Sequence, residues 1–436
     1  MHSRLYPSTI LRRPTFLLLL ITSIVIFLCY RHVSSSPEPA TVPATAREEY
    51  PTSLFSDYSR GSSNSQQLQE ALKQSYSSSS SSSSSESLQP LPRPNFKPGV
   101  PKPPGSNYSR ALIVPRLKKE DAGWMTAELK NIEQFVYVVD DPAAPLHPPV
   151  NKGHEVMVYL TYLIDHYDNL PDIMIFMHSH RVSWHNEEPL AWDAVGSINR
   201  LSSERVTREG YMNMRCNWGP GCPDWMHPGK MEEDAGKQEE TMLAKSWSQL
   251  FPRVEIPEVL AQPCCAQFAI SRERALALPK SRYIFYRDWL LRTELSDYIS
   301  GRVWEYLWHV VFTGQNVFCP EQHVCYCDGF GLCFGGAEGL DRYFGLIYQT
   351  RDQKRDLEKW RKLAKEIEDA KNEGKPPEEI EKMEHPEPGK DKIMEAEIKD
   401  KRSRMRRMVE EAKERGKDPR IRAEEAGRPW KEGDGF

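Results

Sequence analysis

The run Asp172-Ile173-Met174-Ile175-Phe176-Met177 constrains this chain more than any other segment, because it is an apolar stretch of strand length opened by Leu170-Pro171. It predicts a short buried strand at the centre of an α/β sheet. The run passes straight into His178-Ser179-His180, and Trp184-His185 follow closely, so three of the twelve histidines gather behind one strand end. In open α/β sheets, ligands bind beyond the carboxyl ends of the strands. These imidazoles therefore stand where recognition or chemistry takes place, not where a core needs filling.

The segments around this strand alternate in type. Ala111–Val114 reads as a first strand, 121–132 as a helix, and 135–139 as a second strand ending in Asp140-Asp141-Pro142. Over 154–166 the residues Val156, Tyr159, Leu160, Leu163, Ile164 and Tyr167 follow the spacing of an amphipathic helix. Strand–helix–strand–helix–strand order predicts a single α/β domain over 110–339, with a parallel or mixed sheet flanked by helices. Further on, Cys264 to Arg272 reads as a strand entering a helix. The stretch 300–312 reads as one largely buried helix with Arg302, Glu305 and His309 on a polar stripe. Buried charge is costly unless paired, so that stripe is expected to face a cavity or an internal network. An Arg302–Glu305 pair and a functional Glu305 remain open together.

The ends of the chain differ from this middle. Phe16–Tyr30 is apolar apart from Thr22 and Ser23, with Arg4, Arg12 and Arg13 before it. A cleaved signal peptide and an uncleaved anchor compete for this stretch, and the preceding arginines favour a signal anchor over 14–31, behind a cytosolic tail of residues 1–13. Either reading sends the rest into the secretory lumen, with the Golgi or endoplasmic reticulum membrane as the expected location. Residues 32–109 are rich in Ser and Pro, with nine consecutive serines from Ser77 to Ser85, and read as a disordered stem. Asn107-Tyr108-Ser109 at its end matches a glycosylation sequon. From Leu340 to 436 mixed Lys, Arg and Glu predict solvated single helices or disorder.

Eight of the nine cysteines lie beyond the apolar run, and an even number in an oxidising compartment implies disulfides. Cys216 and Cys222 flank a turn and could close a small loop. Cys264 and Cys265, being adjacent, are expected to anchor two different loops. Disulfides are also favoured over zinc for Cys319, Cys325, Cys327 and Cys333, which lack a Cys-x-x-Cys pair.

Several groups carry chemistry. His178, His180 and His185 could converge on a divalent metal, manganese or zinc, or bind substrate directly. Asp140 and Asp141 end the neighbouring strand and suit metal or ribose binding, unless Asp141-Pro142 simply opens a turn. Asn151 and Lys152 open the amphipathic helix with His154-Glu155, where free amides can hold an anion such as a diphosphate. Glu305 is a candidate general base or acceptor of a substrate hydroxyl. A net charge of −4 and a pI near 6.3 give no reason to expect nucleic-acid binding. The absence of Gly-x-Ser-x-Gly, Walker and Gly-x-Gly-x-x-Gly patterns argues against hydrolase, NTPase and dehydrogenase chemistry of those kinds.

Asn151-Lys152-Gly153-His154-Glu155, Tyr167 to Asp172, Phe176 to His180, Trp184-His185, Cys264 to Phe268 and Gly301-Arg302-Val303-Trp304-Glu305 together resemble a fungal family of unknown function, over roughly 111–333. The region also resembles nucleotide-sugar glycosyltransferases of the GT-A type, with a Rossmann-like sheet behind an anchor and stem. Such enzymes commonly hold a metal with Asp-x-Asp, where this chain has His178-Ser179-His180. The resemblance implies a luminal enzyme moving a sugar from a nucleotide donor to a glycan or glycoprotein. Glu305 would be catalytic, and Asp140, Asp141, Asn151, Lys152, Glu155, Arg181, Trp184 and Arg302 would bind donor or substrate. His178, His180 and His185 would face the diphosphate or its metal. The alternatives are a non-catalytic carbohydrate-binding protein or degenerate enzyme, and a metal-dependent hydrolase.

Overall fold

The computed structural model describes Pro94 and residues 96–436. The expected cytosolic tail, anchor and most of the stem lie outside the described residues. Among the described residues, no helix is long and apolar enough to cross a membrane.

Five strands form one mixed sheet: β1 (Arg110–Arg116), β2 (Glu133–Val138), β3 (Ile173–Phe176), β4 (Tyr211–Asn213) and β5 (Phe268–Ser271), in the order β2-β1-β3-β5-β4. β1 runs parallel to both β2 and β3, β5 is antiparallel to β3, and β4 is antiparallel to β5. Alternation along the strands divides the core in two, because successive side chains point to opposite faces. Ala111, Ile113, Met174, Phe176, Phe268 and Ile270 join one cluster, while Leu112, Val114, Ile173, Ile175 and Ala269 join the other. Phe176 is fully buried, which stabilises the fold by about 1.5–3 kcal/mol relative to exposure.

Helices cover both faces. α1 (Gly123–Glu128) links β1 to β2 and is shorter than the sequence suggests. α2 (Val156–Asp165) leads into β3, and every residue from Val156 to Ile164 is buried, so it is a core helix more than an amphipathic one. α3 (Ala194–Arg200) and α4 (Ser203–Glu209) are capped by Asp193 and Ser202, whose side chains accept from Val195 N and Arg205 N. α5 (Glu240–Leu250), α6 (Arg272–Leu276) and α7 (Lys280–Arg292) follow.

The helix expected over 300–312 is two helices, α8 (Asp297–Glu305) and α9 (Trp308–Thr313). At the break, the Gln262 side-chain amide donates to the Glu305 carbonyl. The polar stripe therefore does not survive as one line. His309 is fully buried, with Nε2 beside the Asn316 carbonyl at 2.8 Å.

The eight cysteines form four disulfides: Cys216–Cys325, Cys222–Cys319, Cys264–Cys265 and Cys327–Cys333. Two expectations are corrected here. Cys216 and Cys222 do not close a loop on each other. The turn between them docks on the late segment, through Trp218 Nε1 to the Pro320 carbonyl at 2.8 Å and Trp218 N to Gln322 at 3.0 Å, so each cysteine bonds across to it. Cys264 and Cys265 bond to each other instead of to two loops, at a left-handed turn with φ of 93° at Cys265 and 48° at Ala266.

The charged C-terminal segment forms α10 (Gly336–Asn372), α11 (Lys390–Arg415) and α12 (Pro419–Glu425). α10 and α11 are an antiparallel hairpin and not solitary helices, closed by Leu357, Trp360, Met394 and Ile398 and by Arg361–Glu395. Leu340, Tyr343, Phe344, Ile347, Val409 and Ala412 at its root belong to the second core cluster. Sparse apolar positions suffice because the root is buried against the sheet layer.

Candidate functional site

The order β2-β1-β3 makes the carboxyl ends of β1 and β3 the place where the chain's path switches sides of the sheet, the position at which α/β sheets open a crevice. After β1 the backbone turns through Leu117–Glu120, and after β3 through Met177–His180. Glu120 joins these two turns: its Oε2 accepts from Ser179 Oγ at 2.9 Å, and its Oε1 lies 3.5 Å from His180 Nε2. Glu120 lay in an ordinary charged loop of the sequence, and no local signal marked it.

β3 ends at Phe176, so His178 and His180 no longer obey strand alternation and diverge. His180 is exposed and turned to Glu120, whereas His178 is largely enclosed. His178 N donates to Gln267 Oε1 at 3.1 Å, and its ring meets the His185 ring edge-on at 4.9 Å. His185 Nδ1 is 2.9 Å from Ser183 Oγ, and its ring lies 4.2 Å from that of Trp184. The Trp184 carbonyl accepts from Arg215. Two imidazoles meet and the third departs, so the three do not converge on one point. Among the described residues, the trios that bring ligand atoms within 4.8 Å are Cys264–Cys265–Glu305 and Cys327–Cys333–Glu425, and their cysteines are all in disulfides. The three histidines are therefore not among the ligand clusters of the described residues.

β5 runs antiparallel to β3, which returns Cys264–Gln267 to the same edge. Gln267 links the loops, accepting from His178 N and donating to Asn186 Oδ1 at 3.1 Å. Cys265 N donates to Glu305 Oε1 at 2.6 Å, so the vicinal disulfide turn holds the carboxylate at the end of α8. On the opposite wall Glu155 precedes α2, and its Oε2 is 4.0 Å from His178 Nε2, a buried atom with no hydrogen-bond partner. Gly301 packs closely nearby: a Cβ there would meet His154 Cγ and Cβ and the Gly153 backbone at 3.1–3.3 Å.

These surroundings set the charges. Burial pushes the Glu155 carboxyl up to about 8, with the charges of Glu305 and Asp297 adding to the rise. Only 12 % of the Glu155 side chain is open to solvent. Burial likewise raises Glu305, with Glu239 adding, while the Cys265 N–H and Arg302 oppose the rise. Burial drives His178 well below its usual value, helped by His185, His180 and His154. His185 falls to about 4 through burial and the Arg215 charge. The crevice thus holds a carboxyl that keeps its proton to about pH 8, a second carboxyl that is also raised but opposed in its rise by the Cys265 N–H and Arg302, and two imidazoles that are neutral at pH 7.

The other candidate residues are placed apart or tied down. Asp140 Oδ1 accepts from Lys118 N at 2.7 Å, and Asp141 pairs with Lys118 Nζ at 2.8 Å, at the outer end of β2. Asn151 does not cap α2, whose N-cap position is Glu155, and His154 N instead donates to Asp297 at 3.0 Å. Lys152 donates to the Thr293 carbonyl. Arg181 bridges Glu128 and Asp193. Arg302 makes a two-toothed pair with the fully buried Glu239, at 2.7 and 3.0 Å, and not with Glu305. Glu239 had no signal in the sequence beyond its place in a charged stretch.

Fold and crevice together define a disulfide-stabilised α/β domain with a pair of unlike carboxyls and two imidazoles at one sheet edge. Residues 112–328 match the family described as Protein of unknown function (DUF3431), which supports an uncharacterised domain family. No curated protein and no solved structure matches the chain.

Proposed function

We propose that this protein is a luminal glycosyltransferase, moving a sugar from a nucleotide donor to a hydroxyl of a glycan or glycoprotein. It would be held in a Golgi or endoplasmic reticulum membrane by its N-terminal anchor, as a single-pass type II protein. Four disulfides support an oxidising compartment, and the arginines preceding the apolar run support that orientation.

The observation that carries the reading is the pairing of Glu155 and Glu305 in one crevice with unlike surroundings. Burial raises both carboxyls, but the Cys265 N–H and the Arg302 charge oppose the rise at Glu305, and a difference of this kind between two acids supports an acid–base division of labour. Glu305, steadied by the Cys265 N–H, takes the proton of the acceptor hydroxyl as its oxygen bonds to the anomeric carbon. The bond from that carbon to the donor phosphate breaks, and the nucleoside diphosphate leaves with the electron pair. Glu155, protonated, and His178, neutral, offer hydrogen bonds on the donor side. The switch-point turns with Glu120, Ser179 and His180 form the donor's floor.

Thermal unfolding with a panel of nucleotide sugars, with and without manganese, tests the donor role. A matching donor at one hundred times its Kd should stabilise by about 2.7 kcal/mol, a rise of a few degrees. No shift with any donor would remove the transferase reading, and a positive glycan array alongside it would point to carbohydrate binding without turnover.

A further inference from the structure

The hairpin at the C-terminal end carries a second concavity, remote in sequence from the crevice. Between α10 and α11 lies a groove of about 570 Å³ lined by Arg342, Arg404, Arg407 and Arg415, with Glu411 the one acid on its wall. Its floor is apolar, formed by Phe334, Leu346 and Met408. The helix supplies these cations from the run Lys401-Arg402-Ser403-Arg404-Met405-Arg406-Arg407, in which Arg404 and Arg407 are three apart and so share a face. Both are exposed, and neither makes an ion pair or hydrogen bond among the described residues. Arg415 is steadied by donating to the Cys333 carbonyl at 2.6 Å, and Arg342 lies 3.9 Å from Glu338, which is almost wholly exposed.

Four guanidinium groups against one carboxylate leave a formal excess of three positive charges in one concavity. Like charges held together are unfavourable unless an anion joins them. Tetrahedral oxyanions match the arginine fork, bonding two N–H groups at once. The volume lies within the range of small-molecule sites, and the apolar floor suits an organic body. We propose that this groove binds a compact organic ligand bearing two or more phosphate groups. The site is independent of the transferase reading and shares no residue with the crevice.

The test is calorimetric titration of the full chain with inositol hexakisphosphate at 0.15 M salt, a probe that carries no nucleotide or sugar-donor bond. One saturable site is expected. Arg404→Gln with Arg407→Gln should weaken it by about tenfold or more, the scale of one lost charge-assisted pair, without changing Tm. Arg402→Gln with Arg406→Gln removes the same charge outside the groove lining and should weaken it by less than about threefold. No saturable binding, or equal loss in both double variants, would overturn the site. Tighter binding of a trisulfated disaccharide than of the phosphate probe would overturn the phosphate assignment.

Discussion

Two buried acids in this protein are treated in opposite ways. Asp328 is enclosed by three arginines: Arg205 at 2.7 Å and Arg208 at 2.5 Å on one oxygen, and Arg422 at 3.5 Å on the other. Burial alone would raise its carboxyl, but Arg205 and Arg208 outweigh it and hold the group below its usual value. Glu155 is largely enclosed and has no guanidinium or ammonium paired with it; beside it stands His178, itself driven neutral. The first arrangement fixes a charge to join α4, the helical turn Cys325–Gly329 and α12. The second leaves a proton on a carboxyl beside His178, at the carboxyl end of the sheet. The difference separates structural from chemical use of buried charge, since a fully paired charge has nothing left to give a substrate.

The comparison breaks most readily at Asp328. Asp328→Asn leaves the buried Arg205 and Arg208 and the part-buried Arg422 without their counter-charge and should cost about 3–5 kcal/mol in urea unfolding. A loss below about 1 kcal/mol would remove the structural assignment. At Glu155 the effect is carried by pH. The unfolded carboxyl titrates near 4.5 and the folded one near 8, so between these values the native chain keeps a proton that the unfolded chain has released. The contribution is fully present below about pH 4.5 and is lost as pH rises through 8. His185, depressed to about 4, acts in the opposite sense between 4 and 6.5 in both proteins and cancels in the difference. Unfolding at pH 5 and pH 8 should therefore show Glu155→Gln losing less stability than wild type over that span; equal losses would contradict the raised carboxyl. The smallest effect belongs to Lys118→Ala, which removes an exposed partner of Asp141 and should leave the urea unfolding midpoint unchanged; a clear drop would contradict a solvent-screened pair.

Much of the sheet was legible in the sequence because local pattern determines it. Ala111–Val114 and Ile173–Phe176 are continuous apolar runs, and both became central strands. β4 is three residues long and lies between helices, too short to leave a pattern. The break between α8 and α9 escaped detection because its cause, the Gln262 amide on the Glu305 carbonyl, comes from 43 residues away. The hairpin was obscured by its charge, since the apolar contacts of its outer part are few, Leu357, Met394 and Ile398 with Trp360.

The candidate site was legible in its residue types more than in its contacts. His178, His185, Glu155 and Glu305 all stood out in the sequence, yet their meeting depends on long-range placement. Glu155 reaches His178 across 23 residues of chain, and Glu305 reaches Cys265 across 40. The divergence of His180 follows from where β3 ends, which periodicity leaves uncertain by a residue or two. Disulfide partners were out of reach for the same reason, because eight cysteines allow 105 pairings.

The most direct test is release of nucleoside diphosphate from nucleotide sugars by the purified chain, with a glycan acceptor pool, for wild type and Glu305→Gln. The account predicts acceptor-dependent release by wild type, with the variant about 10²–10⁴ slower while the donor-induced rise in Tm is kept. Release at the same rate in both proteins would contradict the role of Glu305 and with it the crevice as the place of chemistry.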